Sequence, residues 1–465
     1  MKNSTILLTI ICVLFLITHL YKIGEIPPSV YWDEASIGYN AYSIAQTGKD
    51  EWGDFLPIHF RAFGEFKLPV YIYSVVAFVQ LFGLNEFSVR IPAVLFSLGS
   101  IIFTFLLAKK LSGNETVGLF GAFLLAISPW FFIFSRIGFE VTAGLMFYLL
   151  GIVLFLKAEN KGKFILFSII SFILSAYSYN SFRIISPLTL LALIIFEYGN
   201  LKEVSSKNKV YFLTSIILLF LAAIPILRLY VFDAGIARFQ TVGEMSTLTI
   251  VNNYLSHFDP IFLFIQGDNN LRHQQAGFGQ LYFPELAPII IGLIYMFRSK
   301  FKYRWILLII IFISPIPAAI TKESPHALRS LSMVPFIHIT SAMGVFYLTQ
   351  FFRQKMLISL TLVTVFLIFF VNYFINFITI YPKESAGWWQ FNYKKIFTDS
   401  KLQSENENKI YISDKEGQPY IFALFYLKYN PEKFREEVER NSVDMWGFST
   451  VKSFSNFEFG DYNEK

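Results

Sequence analysis

Apolar runs of about twenty residues recur along most of the chain, separated by short polar stretches that carry the basic residues. A helix rises 1.5 Å per residue, so roughly 20 apolar residues cross a hydrocarbon core of about 30 Å. This pattern predicts helices near residues 5–21, 89–108, 116–134, 139–156, 164–178, 183–198, 210–230, 284–298, 304–320, 331–350 and 356–380. The fold class expected is therefore mainly α, a polytopic membrane protein of about eleven transmembrane helices. The run at 68–84 is apolar too, but its Pro69-Val70-Tyr71-Ile72-Tyr73 start has the aromatic character of a headgroup-level segment, and it is expected to lie along the interface.

The basic residues set an orientation. Lys109, Lys110, Lys157, Lys161, Lys163, Lys202, Lys207, Lys209, Arg298, Lys300, Lys302, Arg304, Arg353 and Lys355 fall in loops on one side, against Arg136, Arg183, Lys322 and Arg329 in the short loops of the other. Positive loops stay cytoplasmic, which puts the N-terminus inside the plasma membrane and the C-terminus outside. Three long segments then lie outside: 22–88, 231–283 and 381–465. The expected organisation is a transmembrane domain over 1–380 and a small outer α/β domain over 381–465. In the latter, a strand is predicted over 409–413, a turn at Glu416-Gly417, helices over 419–429 and 431–440, and a strand-like 453–459 near the chain's end, so this domain is small or incomplete.

Composition agrees: 54% of residues are hydrophobic, 18% aromatic and only 15% charged, against about 25% charged in soluble domains. A formal charge of +6 would suggest nucleic acid in a soluble protein, but here it resides in the orienting loops, and no nucleic-acid partner is expected. The single cysteine, Cys12, lies within the first apolar run and excludes both an internal disulfide and a cysteine metal site. The first run lacks a small-residue cleavage site and reads as a retained helix.

The candidate chemistry lies at the outer ends and loops. Asp33 and Glu34 follow the first helix; adjacent helical positions point about 100° apart, so one carboxylate can face a reaction while the other orients it or binds a cation. Acidic residues are also favoured at any helix start by the dipole, so the pair is equally readable as a first turn. Arg136 and Glu140, four apart, suit an ion pair or a site. Lys67 is either a snorkelling anchor or a phosphate contact. Asp268, Arg272 and His273 form a polar cluster of the kind that binds phosphate or sugar hydroxyls, or a loose metal set with no specific spacing. His326 and Arg329 close a donor-rich loop at 321–329. No Gly-x-Ser-x-Gly elbow, Rossmann or P-loop pattern occurs.

Asp33-Glu34, Phe66-Lys67-Leu68-Pro69-Val70-Tyr71, Leu81-Phe82-Gly83-Leu84-Asn85-Glu86-Phe87-Ser88-Val89-Arg90-Ile91-Pro92 and the stretch from Arg136 to Glu140 together resemble the GT-C superfamily of membrane glycosyltransferases. The likeness is to the branch of protein O-mannosyltransferases and the lipid A aminoarabinose transferase; the stretch 324–329 is similar to bacterial members. Specific motifs cover about the first 160 residues, and topology alone the rest. The resemblance implies an inverting transfer of a hexose or pentose from polyprenyl phosphate to a protein, lipid or glycan acceptor in contact with membrane lipid. It makes Asp33 the base, with Glu34 beside it and Glu140 near. It places Lys67, on the family's Lys-Pro-Pro pattern but followed by Leu68, on the donor phosphate with Arg136 and Arg272, and leaves Asp268, His273, His326 and Arg329 for substrate. No organic cofactor is implied; a divalent cation is the one cofactor left open. The rivals are a lipid-linked oligosaccharide ligase or polymerase and a transporter or flippase. The latter needs ionisable groups near mid-membrane, and these sit at the outer ends.

Overall fold

Helix occupies the centre of every segment for which the apolar pattern predicts one. The structure, a computed structural model, describes residues 2–159, 161–231, 243–244, 246–299, 301–399, 409–443 and 448–461. Lys300, residues 232–242, and 400–408, 444–447 and 462–465 of the C-terminal region lie outside the described residues. The first eleven helices are α1 (Lys2–Leu20), α2 (Trp32–Thr47), α3 (Pro69–Phe82), α4 (Glu86–Ser112), α5 (Glu115–Ile127), α6 (Pro129–Phe134), α7 (Val141–Lys157), α8 (Lys163–Ala176), α9 (Phe182–Phe196), α10 (Tyr198–Lys207) and α11 (Lys209–Val231). Leu286–Arg298, Arg304–Ile313, Val334–Gln350 and Lys355–Thr379 are the long helices that follow.

Two predicted helices are broken, each by a proline. The 116–134 segment divides at Ser128, which is extended (φ −61°, ψ 128°) ahead of Pro129, because a residue preceding proline is pushed out of the helical region. The 304–320 segment divides at Ser314-Pro315 into Arg304–Ile313 and Ile316–Ala319. Among the described residues, five helices are long and apolar enough to cross a bilayer: Asn3–Leu20, Glu86–Ser112, Lys209–Val231, Leu331–Gln350 and Lys355–Thr379. A sixth is added if α9 and α10, bent by 88°, count as one span. Length and composition therefore carry five or six of the expected crossings, and the remaining apolar helices are shorter. Helix α3 has 14 residues, roughly 21 Å of rise, too short to span.

The segment between α1 and α4 holds more structure than the pattern predicts. Besides α2 it forms an antiparallel hairpin, β1 (Phe60–Ala62) with β2 (Glu65–Lys67). The C-terminal region follows its prediction closely: β3 (Ile410–Ile412), helices Pro419–Tyr426 and Pro431–Glu437, and β4 (Glu439–Arg440), β5 (Val451–Phe454) and β6 (Phe457–Phe459), in sheet order β3-β6-β5-β4. Its helix ends earlier than expected, and residues 439–440 are strand. This region does not bury its apolar residues alone. Ala35, Ile37 and Tyr39 of α2 share one hydrophobic cluster with Tyr420, Phe422, Phe425 and Phe457. The approach is tightest at Gly38, where an added Cβ would lie 2.6 Å from the Phe425 ring and 2.7 Å from Val89.

A buried ion pair ties these layers to the membrane helices. Arg90, in the second turn of α4, and Glu34, in the first turn of α2, are both fully buried. Arg90 Nε donates to Glu34 Oε1 at 3.0 Å and Nη2 to Oε2 at 3.1 Å. Its remaining donors go to the carbonyls of Ile23, Pro27 and Ser29. Glu34 in turn accepts the Gly138 amide at 2.6 Å and the Tyr31 amide at 3.2 Å. Losing one partner of such a pair leaves an uncompensated buried charge. Arg90→Met is therefore expected to destabilise the protein by about 3–5 kcal/mol, read as a lowered midpoint of thermal unfolding in detergent; an unchanged midpoint would remove the pair from its structural role.

Candidate active site

Helix α2 begins at the residues that carry the acidic pair, and its start decides which carboxylate is accessible. Asp33 lines a cavity of about 550 Å³ and Glu34 does not. The same cavity is lined by Lys67, Glu140, Arg272, His273, His326 and Arg329, so seven of the ten residues singled out in the sequence converge on it. They arrive from far apart in the chain: α2, the hairpin, the turn before α7, the second outer loop and the loop ahead of Val334–Gln350.

Lys67 Nζ donates to Asp33 Oδ1 at 2.6 Å and to Glu65 Oε1 at 3.4 Å. Burial alone would lower the lysine, but Asp33, Glu140 and Glu65 around it raise it, so its ammonium is retained. Glu140, at the same wall, is pushed up to about 7 by burial, an effect only partly offset by Lys67. Glu65 was not anticipated as a site residue, although alternation along β2 puts it on the same side of the strand as Lys67, two positions on.

Arg272 lines the same cavity, 4.0 Å from the Tyr31 ring centre and 5.8 Å from that of Trp388, with Nε donating to Asn270 Oδ1 at 3.1 Å. Stacking fixes the guanidinium while leaving donors for an oxyanion. Arg329 Nη1 donates to Thr321 Oγ1 at 2.7 Å.

The histidines form a connected set. His273 Nδ1 and Asp268 Oδ2 are 2.9 Å apart, and Asp268 also accepts the Ala327 and Asn270 amides. Burial pushes the Asp268 carboxyl up, yet the His273 imidazole and those amides bring it below the usual range. The His273 and His326 rings are 4.6 Å apart. His326 takes its place by donating its amide to His257 Nε2 at 3.1 Å; burial lowers His257 to about 4, and burial with the neighbouring Arg329 lowers His326. Asp268, His273 and His326 offer ligand atoms within 4.8 Å of one another. Asp268 already accepts three hydrogen bonds, so it suits the role of orienting His273. The two imidazoles are the groups left for a cation: His326 Nδ1 is buried without a partner among the described residues.

Three sequence candidates have other work. Glu34 is spent on Arg90. Arg136, expected to meet the donor phosphate or pair with Glu140, is fully buried, and its guanidinium donates to the carbonyls of Thr18, His19, Tyr21 and Ile26 at 2.6, 3.0, 2.7 and 3.2 Å. It fastens the segment after α1 to the turn before α7. Asp268 sits behind the cavity wall.

The arrangement of helices and outer elements is one seen before. Residues 67–227 match the family described as dolichyl-phosphate-mannose-protein mannosyltransferase. ArnT from Cupriavidus metallidurans bound to undecaprenyl phosphate superposes with a TM-score of 0.61 at 11% identity, over 92% of this chain and 85% of that one. The Archaeoglobus fulgidus oligosaccharyltransferase in its apo form gives 0.56 at 12% identity, over 91% of this chain and 63% of that one. No curated protein matches by sequence. The fold is that of the GT-C superfamily of membrane glycosyltransferases.

Two buried carboxyls set a pH dependence. Glu140 and Glu51, the latter bonded to Asn40 and Tyr420, are both raised to about 7, chiefly by burial. The folded protein then holds protons that the unfolded chain, with carboxyls near 4.5, has released. The stability linked to them is full below about 4.5 and is lost as pH rises through about 7. Thermal midpoints measured from pH 5 to 8 are expected to fall over this range, and less steeply in Glu51→Gln; equal slopes in the two proteins would exclude Glu51 as a source.

Proposed function

We propose that the protein is an inverting glycosyltransferase that moves one hexosyl or pentosyl unit from a polyprenyl-phosphate donor to a protein, lipid or glycan acceptor on the outer face of the plasma membrane. The observation that carries this reading is Asp33: a carboxylate held by Lys67 at the wall of a cavity that Arg272 also lines. Asp33 takes the proton of the acceptor nucleophile as its oxygen or nitrogen attacks C1 of the sugar. The bond from C1 to the phosphate oxygen breaks on the opposite face, and the electron pair leaves on the phosphate. Negative charge gathers there, and Arg272, with Lys67 and Arg329, is placed to stabilise it. Glu34 acts through Arg90 to set the start of α2, and is a positioning residue.

A cavity of about 550 Å³ is in the range that encloses one small ligand, which favours a single sugar over an oligosaccharide. The donor class is supported by ArnT, described bound to undecaprenyl phosphate, and by the archaeal oligosaccharyltransferase AglB, described with an inhibitory peptide and a dolichol-phosphate. The archaeal enzyme is also described with zinc and sulfate. In this chain His273 and His326 would hold a divalent cation, which would add positive charge beside the phosphate.

An outer placement of the site is supported by α7. Its N-terminal end adjoins Glu140 in the cavity wall and its C-terminal residue is Lys157, about 25 Å of helix away. Lys109 and Lys110 likewise end α4. The cavity and Lys157 thus lie at opposite ends of α7, which supports an outer active site. Reporter fusions after Lys2 and Lys465 are expected to show a cytoplasmic N-terminus and an outer C-terminus; the reverse would move the site to the wrong face.

Asp33→Asn keeps the side-chain shape and removes the base, so turnover with polyprenyl-phosphate sugar is expected to fall on the order of 10²-fold or more, with donor binding kept. Lys67→Ala is expected to lower turnover or raise the donor KM. Near-native transfer by folded Asp33→Asn would shift the base to Glu140.

A further inference from the structure

One arginine of the cavity has no part in the reaction just described. Arg183 lies in the first turn of α9, in the wall built by the α8–α9 turn and the last turn of α11. Its Nη1 donates to the Tyr230 hydroxyl at 3.2 Å and its guanidinium stands 5.7 Å from the Tyr230 ring centre. Its Nε and Nη2 are shut from solvent and, among the described residues, have no hydrogen-bond partner. Buried donors without partners are costly, most of all on a charged group, so a ligand acceptor is the natural complement.

The contacts of Arg183 are disjoint from those of the groups around Asp33. Lys67 is surrounded by Asp33, Glu65 and Glu140, and Arg272 is stacked on Tyr31 and Trp388. Among the described residues Arg183 makes no ion pair, and its near neighbours in the wall include the apolar Ile184 and Leu229. Helix α11, which supplies Leu229 and Tyr230, is almost wholly exposed along an apolar surface, with 6% of its span buried. In a bilayer that surface meets lipid. A guanidinium fork beside a lipid-facing helix suits an oxyanion at the head of a hydrocarbon chain.

We propose that Arg183, held by Tyr230, forms a second oxyanion subsite of this cavity, which binds a phosphoryl group on an amphiphile in addition to the phosphate held near Arg272. The inference rests on the donor reading above. The second phosphoryl has two possible sources of the same chemistry: the distal phosphate of a diphosphate-linked donor, or the phosphate head of a lipid acceptor.

The test uses the full chain in phosphatidylcholine nanodiscs and measures binding of undecaprenyl monophosphate, undecaprenyl diphosphate and phosphatidic acid to the native protein, Arg183→Gln and Arg183→Lys. Loss of a charge-assisted contact is expected to weaken the second-phosphoryl probe about tenfold in Arg183→Gln and less in Arg183→Lys, which keeps the charge but not the fork. Monophosphate binding, which also reports that the variant is folded, is expected to change by less than about threefold on the same reasoning. A diphosphate preference in the native protein that disappears in Arg183→Gln assigns the subsite to the donor. Arg183-dependent binding of phosphatidic acid alongside the monophosphate assigns it to the acceptor. Equal binding of all three probes by native and variant protein overturns the subsite, as does an equal loss of the monophosphate, which would make Arg183 part of a single phosphate site. Failure of the native protein to bind monophosphate, with Arg183-dependent binding of another probe intact, sinks the donor reading and leaves the subsite standing.

Discussion

The buried pair of Glu34 and Arg90 is the constraint on which the rest of the site depends. Two opposite charges withdrawn from water are tolerable only with full hydrogen bonding, and here the geometry supplies it: a bidentate contact, three carbonyls on the arginine and two amides on the glutamate. The pair and its partners come from four stretches of chain. The segment after α1, the start of α2, the start of α4 and the turn before α7 are brought to one point. Asp33 and Glu140 are neighbours of that point, so their relative placement is a by-product of satisfying one arginine. Arg136 repeats the device one layer away, with four carbonyls from the end of α1 and the segment behind it.

Electrostatics divides the cavity. Three carboxyls gather around one lysine at the wall formed by α2, the hairpin and the turn before α7, while Arg183, Arg272 and Arg329 stand in other walls. Lys67 Nζ donates to Asp33 at 2.6 Å, so the residue read from the sequence as a phosphate contact is engaged with the carboxylate proposed as the base. The imidazoles are poised differently: burial keeps His257 neutral, and burial with the neighbouring Arg329 does the same for His326, which leaves ring nitrogens able to accept or to ligate.

The helices were legible because apolar content over about twenty residues is a coarse signal that survives ignorance of packing. The exceptions were local: Pro129 and Pro315 cut helices whose hydropathy runs on unbroken. Helix α2 was legible only at its acidic start, since it is buried by protein and places Ser36, Asn40 and Ser43 inside, so it has no polar face to give it a period. The site was legible as residue types at helix ends, where a charge near lipid needs a reason. Direction was not. Asp33 and Glu34 are adjacent and chemically alike, and only the register of α2 against α4 decides that one faces the cavity and the other the core. Arg136 and Arg272 look equally able to meet a phosphate until four carbonyls are found around the first and two aromatic rings around the second. Arg183 was counted only as an orienting charge, because nothing in its neighbours along the chain shows the Tyr230 hydroxyl that holds it.

The start of α2 is pinned by residues more than three hundred and fifty positions later: the Trp32 amide donates to Gln390 Oε1, the Ser29 hydroxyl to the Trp389 carbonyl, and the Val30 amide to the Tyr426 hydroxyl. A ribosome delivers these partners last. Throughout synthesis and insertion, the helix that presents Asp33 therefore waits without its final contacts, although the membrane helices that frame the cavity are already made. The order of the chain thus sets an order on assembly: the contacts that fix the start of α2 close only after Trp389, Gln390 and Tyr426 have been made.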